Sequence, residues 1–192
     1  MKKKRVMALA IKCIFILSFV VLLSNCATQR ESTIVGGEYD AAKNVTEYFV
    51  LPYGQVALPG KWDKCGYNTI ARQQFFTNQD SIIVAIAFGR TDKYEFNKDG
   101  ALKGYDFVKA FYEWESEYFK SEGLESQMIE NDSERQYVIY RIYGERLDTY
   151  FLVGEKNGKV SNFSINITSR WNENEKIQFL KRIFLTIKGT GF

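Results

Sequence analysis

Histidine is absent from this sequence of 192 residues, in which 26 basic side chains stand against 23 acidic ones. A Ser-His-Asp triad, a Cys-His pair and a histidine-ligated zinc site therefore cannot form within the chain. Phosphate-binding glycine loops are missing too, because the glycines of residues 100–104 are not followed by a Lys-Ser or Lys-Thr pair. We predict no catalytic residue, no metal site and no cofactor, and the sequence favours a protein that is not an enzyme.

The chain also lacks an apolar run of the roughly 20 residues that cross a bilayer. Its longest apolar segment, residues 13–23, follows a basic start at residues 2–5, which is typical of a secretory signal. The segment ends at Leu23-Ser24-Asn25-Cys26, which resembles the lipobox of bacterial lipoproteins. The resemblance implies cleavage before Cys26 and lipid on its thiol. The alternative is a plain secretory signal or an uncleaved anchor.

Lipid on Cys26 predicts a protein held to a membrane of the bacterial cell envelope. Ala27 follows the cysteine where an aspartate would signal retention, so the resemblance implies the outer membrane, facing the periplasm. Cleavage would leave 21 basic residues against 23 acidic ones, which changes the net charge from +3 to −2. We therefore expect no nucleic acid as a partner. The expected partners are the membrane and a protein of the envelope.

Cysteine is scarce, with three residues in the chain. Cys13 lies in the predicted signal peptide and Cys26 would carry lipid, so Cys65 has no partner for a disulfide. A free cysteine without catalytic neighbours is typically a small apolar residue of the core. We expect Cys65 to be buried; the alternatives are a reactive thiol and an intermolecular disulfide.

Two helices and a set of strands are predicted after residue 45. The first helix has an apolar stripe at 3.6-residue spacing and ends at Gly123, and the second begins at Asn172, with Glu175 placed for a capping box. The stripe of the first helix consists of Phe107, Phe111, Trp114 and Tyr118. Predicted strands cover residues 46–51, 55–58, 69–76, 81–88, 136–143, 148–153 and 163–167.

Three details of these strands bear on the topology. Residues 82–88 are apolar without alternation, which predicts a central strand covered on both faces. Asn157-Gly158 predicts a two-residue type I′ hairpin. Residues 163–167 alternate with polar neighbours, which indicates a strand with one buried face. We predict a single α+β domain, an antiparallel sheet of about six strands with two main helices packed on it.

The domain organisation follows from these patterns. Residues 1–25 form the predicted signal peptide. Residues 26–45 are polar and show no apolar period, so we predict a flexible tether there. Residues 46–190 form the α+β domain, and residues 90–104 within it are predicted to be a long loop.

The order of these elements resembles the PsbP-like superfamily. The features that carry the resemblance are Leu58-Pro59-Gly60-Lys61-Trp62 after a short strand, the aromatic mid-chain helix, the Asn157-Gly158 hairpin, and a last helix with Phe179-Leu180 and Ile183-Phe184. The resemblance implies an antiparallel sheet between helices and a protein that binds or assists partners without catalysis. It supplies no binding residues, because no motif of the family is matched.

Two groups of side chains are candidates for a site. Glu115 lies beside the apolar face of the first helix, where burial would raise its pKa, although a carboxylate at the margin of the helix is the simpler interpretation. Tyr137, Arg141 and Tyr143 share one strand face and form a candidate partner-binding surface, unless the arginine only extends over aromatic neighbours to reach water. Three loop carboxylates are of the type that binds calcium, but their spacing does not fit an EF-hand: Asp92, Glu95 and Asp99.

The function favoured by the sequence is a membrane-anchored periplasmic lipoprotein that acts as a non-catalytic binding or accessory module. One alternative is a carboxylate-based hydrolase of envelope polymers, which needs two carboxyl groups in one cleft. Another is an immunity-type lipoprotein that neutralises a toxin.

Overall fold

The computed structural model describes residues 32–166 and 170–187. The predicted signal peptide and Cys26 lie outside these ranges. Within them the chain forms β-strands, two α-helices, α1 (Gly104–Ser121) and α2 (Glu173–Leu185), and two short 3-10 helices, Thr91–Lys93 and Glu95–Asn97. The strands are β1 (Ile34–Gly36), β2 (Tyr39–Asp40), β3 (Val45–Leu51), β4 (Gly54–Pro59), β5 (Asp63–Asn68), β6 (Gln73–Thr77), β7 (Ile83–Arg90), β8 (Glu125–Asp132), β9 (Tyr137–Tyr143), β10 (Asp148–Lys156) and β11 (Lys159–Asn166).

The strands form two antiparallel sheets. The main sheet has seven strands in the order β5-β6-β7-β11-β10-β9-β8, where about six were predicted. A small sheet is built around β3, which pairs with β4 and with the short strands β1 and β2. The predicted α+β class, an antiparallel sheet with two main helices, is confirmed.

Two apolar cores lie on opposite faces of the main sheet. On one face α1 packs over β8, β9 and β10, with Phe107, Phe111 and Tyr140 fully buried. On the other face α2 and the small sheet enclose a larger core that includes Ile86 and Leu180. Neither helix of the described residues is both long and apolar enough to cross a bilayer.

Local sequence signals hold where they were predicted. Asn157 and Gly158 both adopt positive φ, 55° and 73°, as a type I′ turn between β10 and β11 requires. Asn172 accepts a hydrogen bond from the backbone N–H of Glu175, and the Glu175 carboxylate accepts one from the N–H of Asn172, which completes the predicted capping box.

The tether prediction is wrong for the described part of residues 26–45. Residues 34–40 include β1 and β2, which pair with β3, for example Ile34 with Leu51. Ile34 and Val35 stay 61% and 54% exposed, so backbone pairing rather than side-chain burial holds β1. A strand stabilised in this way shows no apolar period in its sequence.

Strands β5 and β8 were also missed. All six residues of β5 are exposed, and β8 is polar with a register shift between Met128 and Glu130. Both lie at the edges of the main sheet, where a strand buries little side chain. Cys65 lies on β5 and is exposed, which corrects the prediction that it is a core residue.

The predicted loop at residues 90–104 is more ordered than expected. It contains the two 3-10 helices, and Tyr94 and Phe96 pack against the rings of Phe107, Phe111 and Trp114. The segment therefore extends the core under α1.

Candidate functional site

A groove of about 1220 Å³ opens beside α1. It exists because α1 packs over β8, β9 and β10 and leaves β6, β7 and β11 without a helix on that face, within the described residues. Ligand pockets in proteins typically enclose roughly 300–1,000 Å³. The groove is therefore large enough for an organic ligand.

The β7 strand forms part of the groove floor with small side chains. Ile83, Ala85 and Ala87 line the groove, while Val84 and Ile86 alternate with them into the core on the opposite face. The two alanines leave the space that larger side chains would fill. The apolar run at residues 82–88 was predicted to be covered on both faces, but Ile83 and Ala87 remain partly exposed.

Beside β7, a row of neutral polar side chains runs along β11, formed by Asn162, Ser164 and Asn166. We call it the β11 polar row. Asn162 and Ser164 are only 8% and 9% exposed, so this face of the strand is not the solvent-facing one that the alternation indicated. On β7 the residue opposite Asn162 is Ala87, and on β10 the residue opposite Ser164 is Phe151. The row therefore lies between two apolar strips.

Two acceptors of this row have no partner. Among the described residues, the Oδ1 atoms of Asn162 and Asn166 are buried and accept no hydrogen bond. A buried polar group left unpaired costs about 1–3 kcal/mol. Both side chains line the groove, although these two oxygen atoms themselves are covered.

Glu115 lies on the α1 wall of the groove. Its carboxylate accepts a hydrogen bond from the hydroxyl of Tyr140, which is fully buried. Burial raises the pKa of Glu115 to about 7, and the hydrogen bond from Tyr140 acts in the opposite direction. The sequence-based expectation of a raised pKa is therefore supported, and Glu115 is the one acidic residue among the described side chains that line the groove.

The entrance of the groove carries exposed side chains. The turn between β5 and β6 contributes Ile70, which is 95% exposed, and Arg72. Lys93, from the first 3-10 helix, is exposed at the same entrance. Arg72 and Lys93 thus bring positive charge to exposed parts of the lining, and Arg90, at the end of β7, also lines the groove and is paired with Asp92.

The predicted surface of Tyr137, Arg141 and Tyr143 lies apart from the groove, on the α2 side of the sheet. Tyr137 is 2% exposed and donates a hydrogen bond of 2.6 Å to Glu130, so it offers no surface to a partner. Arg141 donates two hydrogen bonds to Asp148, at 2.7 and 2.5 Å, and lies over the ring of Tyr143. These two hydrogen bonds hold the pKa of Asp148 below its usual range.

Arg141 therefore contacts both a carboxylate and an aromatic ring. The sequence had left open whether it would make such contacts or lie on a face available to a partner. A partner-binding role of the partly exposed Arg141 and Tyr143 stays a prediction. The lipid attachment site Cys26 lies outside the described residues and stays a prediction as well.

The loop carboxylates are used locally. Asp92 accepts hydrogen bonds from Arg90, the shorter of them 2.5 Å, and Asp99 accepts one from the backbone N–H of Ala101. In residues 32–166 and 170–187 no three His, Cys, Asp or Glu side chains are grouped to hold a metal ion.

The β11 polar row is the part of the site that sequence reasoning missed. Its members alternate with Phe163 and Ile165, a pattern that usually marks a solvent-facing strand side. One signal in the sequence could have indicated the groove: the small residues Ala85 and Ala87 at alternate positions of a predicted central strand. The pairing of β7 with β11, which places the two features side by side, joins segments more than 70 residues apart.

Comparison with known proteins gives a distant likeness. No family model and no curated protein matches the chain. The solution structure of cyanobacterial PsbP (CyanoP) from Synechocystis sp. PCC 6803 is similar to 85% of this chain and 96% of its own, at 12% identity and a TM-score of 0.45. At this identity and TM-score the likeness carries no further argument about this chain.

Proposed function

We propose that this protein is a non-catalytic binding module of the bacterial cell envelope that holds a small organic ligand in the groove beside α1. The observation that carries the proposal is the groove itself, with an apolar floor crossed by the β11 polar row. Ligand sites are typically concave and mostly apolar, with a few placed polar groups. The side chains of Asn162, Ser164 and Asn166, which line the groove, are such groups.

The carboxylate chemistry in the groove does not favour the hydrolase alternative. Glycoside hydrolysis of the usual kind needs two carboxyl groups about 5–10 Å apart across the scissile bond. The described lining offers Glu115 alone, and its carboxylate is engaged by Tyr140. We therefore keep binding, rather than hydrolysis, as the function of the groove.

A protein partner is the second candidate. It is favoured by Tyr67 and Ile70, which are 53% and 95% exposed near the end of the β5–β6 hairpin. Exposed apolar side chains that lie together are typical of interaction surfaces. No described feature favours the immunity-type alternative over this more general one.

The envelope location rests on the N-terminal sequence. The lipobox-like Leu23-Ser24-Asn25-Cys26 supports an anchor of lipid on Cys26, and Ala27 supports the outer membrane, with the domain facing the periplasm. Two or more acyl chains give stable anchoring where one chain does not.

Native mass spectrometry of the protein, extracted from the envelope of its own cells, tests the proposal. We expect the wild type to carry a small molecule that Ala87→Trp loses, because an indole at this position fills the groove. Ala101→Trp, at an exposed loop position, is the matched control and should keep it. If Ala87→Trp does not fold, Ala87→Leu is used in its place to reduce the space in the groove. A wild-type protein that carries no small molecule, or an Ala87→Trp variant that is folded and retains it, would overturn the proposal.

A further inference from the structure

We infer that the ligand of the groove is a short neutral saccharide bound along β11. The inference rests on the proposed function, since it names the ligand class for the same groove. It follows from three properties of the floor: the spacing of its polar groups, their lack of charge and the apolar strips on either side of them.

The spacing of the β11 polar row suits a ligand with hydroxyl groups at intervals. Alternate residues of a strand lie about 6.6–6.8 Å apart, so the side chains from Asn162 to Asn166 span about 13–14 Å. Asn162 lines the groove and is 8% exposed, and its Oδ1 atom is buried and unpaired. Amide and hydroxyl groups both donate and accept hydrogen bonds, as sugar hydroxyls do.

The same row disfavours an acyl chain. A hydrocarbon lying on β11 would cover the amide and hydroxyl side chains of the row and offer them no hydrogen-bonding partner. A saccharide supplies an O–H donor at each position. The floor therefore fits a hydroxylated ligand better than a lipid tail.

Charge argues for a neutral ligand. The side chains of the floor strands that line the groove are uncharged on β11 and on residues 83–87 of β7. Arg72 and Lys93 are exposed where they line the groove, so water already solvates them, and Arg90 at the end of β7 is paired with Asp92. A charged group on the floor would be desolvated without a counter-charge, which is costly.

The apolar strips complete the fit. Ala85 and Ala87 lie on one side of the row, and Phe151 lies on the other. Phe75 on β6 extends the apolar floor. A pyranose ring carries C–H groups on its faces and hydroxyls around its edge, so its faces can rest on the strips while its hydroxyls meet the row.

Isothermal titration calorimetry of the lipidated protein in nanodiscs tests the inference. The probes are chitotetraose, cellotetraose and maltotetraose, and we expect at least one to bind. Asn162→Ala should weaken that binding about tenfold, the effect of one lost hydrogen bond to the amide side chain. Asn166→Ala, at a less buried position, serves where Asn162→Ala fails to fold. Asn174→Ala, on the exposed face of α2, is the control and should leave the affinity unchanged.

Failure of the inference and failure of the proposed function give different results. If none of the three saccharides binds while the fluorescent fatty acid cis-parinaric acid binds and Ala87→Trp abolishes it, the groove is a ligand site and the saccharide assignment is overturned. Saccharide affinity that is unchanged in folded Asn162→Ala and Asn166→Ala overturns the placement along β11. If neither the saccharides nor the fatty acid bind and the native protein carries no small molecule, both proposals fall.

Discussion

Glu115 is a carboxyl group held between a helix and a sheet at the wall of the groove. Its Oε2 accepts the hydrogen bond from Tyr140, a residue fully enclosed by the core under α1. Burial is the larger influence and raises the pKa of Glu115 to about 7 from an ordinary value of 4.5. The carboxyl group is consequently about half protonated at neutral pH, and folding stability depends on pH through it.

The first prediction concerns this dependence. Between pH 4.5 and about 7 the unfolded state loses the Glu115 proton while the folded state keeps it, so stability falls as pH rises through this window. Glu115→Gln removes the titration and should make the protein more stable than the wild type above pH 7, by up to about 3 kcal/mol. Urea unfolding of both proteins at about pH 5 and about pH 8 measures the difference.

Glu113→Gln, an exposed position on the same helix, is the control for that experiment. It should show the pH dependence of the wild type. Equal free energies of unfolding for Glu115→Gln and Glu113→Gln at both pH values would mean that Glu115 titrates as a solvated carboxylate.

The helix α1 shows how far an apolar stripe predicts packing. Phe107 and Phe111 are buried as the 3.6-residue period indicated. Trp114 is only half-buried because it faces the groove, and Tyr118 is 56% exposed. The stripe therefore predicts burial correctly where its side chains lie over the sheet, and wrongly where they lie beside the groove.

The second prediction follows from this gradient along α1. Phe111→Ala leaves a cavity in the core and should lower the free energy of unfolding by about 3–5 kcal/mol. Tyr118→Ala, which removes an exposed ring from the same stripe, should cost less than about 1 kcal/mol. Denaturant unfolding of the two variants makes the comparison, and similar losses for both would contradict the burial described for α1.

On the face of the main sheet that carries α1, about half of the strands are covered by the helix and the rest are not. One helix is too narrow to cover seven strands, and its placement over β8, β9 and β10 leaves the groove on the rest. The N-terminal sequence supports a lipid anchor for the domain. The proposed function combines the two: a module that would meet its ligand close to a membrane.

The third prediction concerns the anchor. Cys26→Ser should leave the precursor uncleaved and without lipid, because serine has no thiol to form the thioether. Metabolic labelling with a radioactive fatty acid should mark the wild type and not this variant. Cys65→Ser, which changes an exposed cysteine of the domain, is the control and should be labelled like the wild type. Label of equal strength in Cys26→Ser would contradict the lipoprotein prediction.

The sequence by itself determined the features that depend on neighbours in the chain. The Asn157-Gly158 turn, the capping box at Asn172 and the buried stripe at Phe107 and Phe111 each follow from a few adjacent residues and the backbone geometry they favour. The α+β class follows from the sum of such signals.

Tertiary structure decided which strands lie side by side and which faces are covered. The strands β1, β5 and β8 are held largely by backbone pairing, which leaves little pattern in their side chains. The groove exists only because β7 pairs with β11 and α1 lies elsewhere, a matter of contacts between distant segments. Polar alternation on β11 is the same in sequence whether that face lies open to water or is enclosed in a groove, and only the three-dimensional arrangement distinguishes the two.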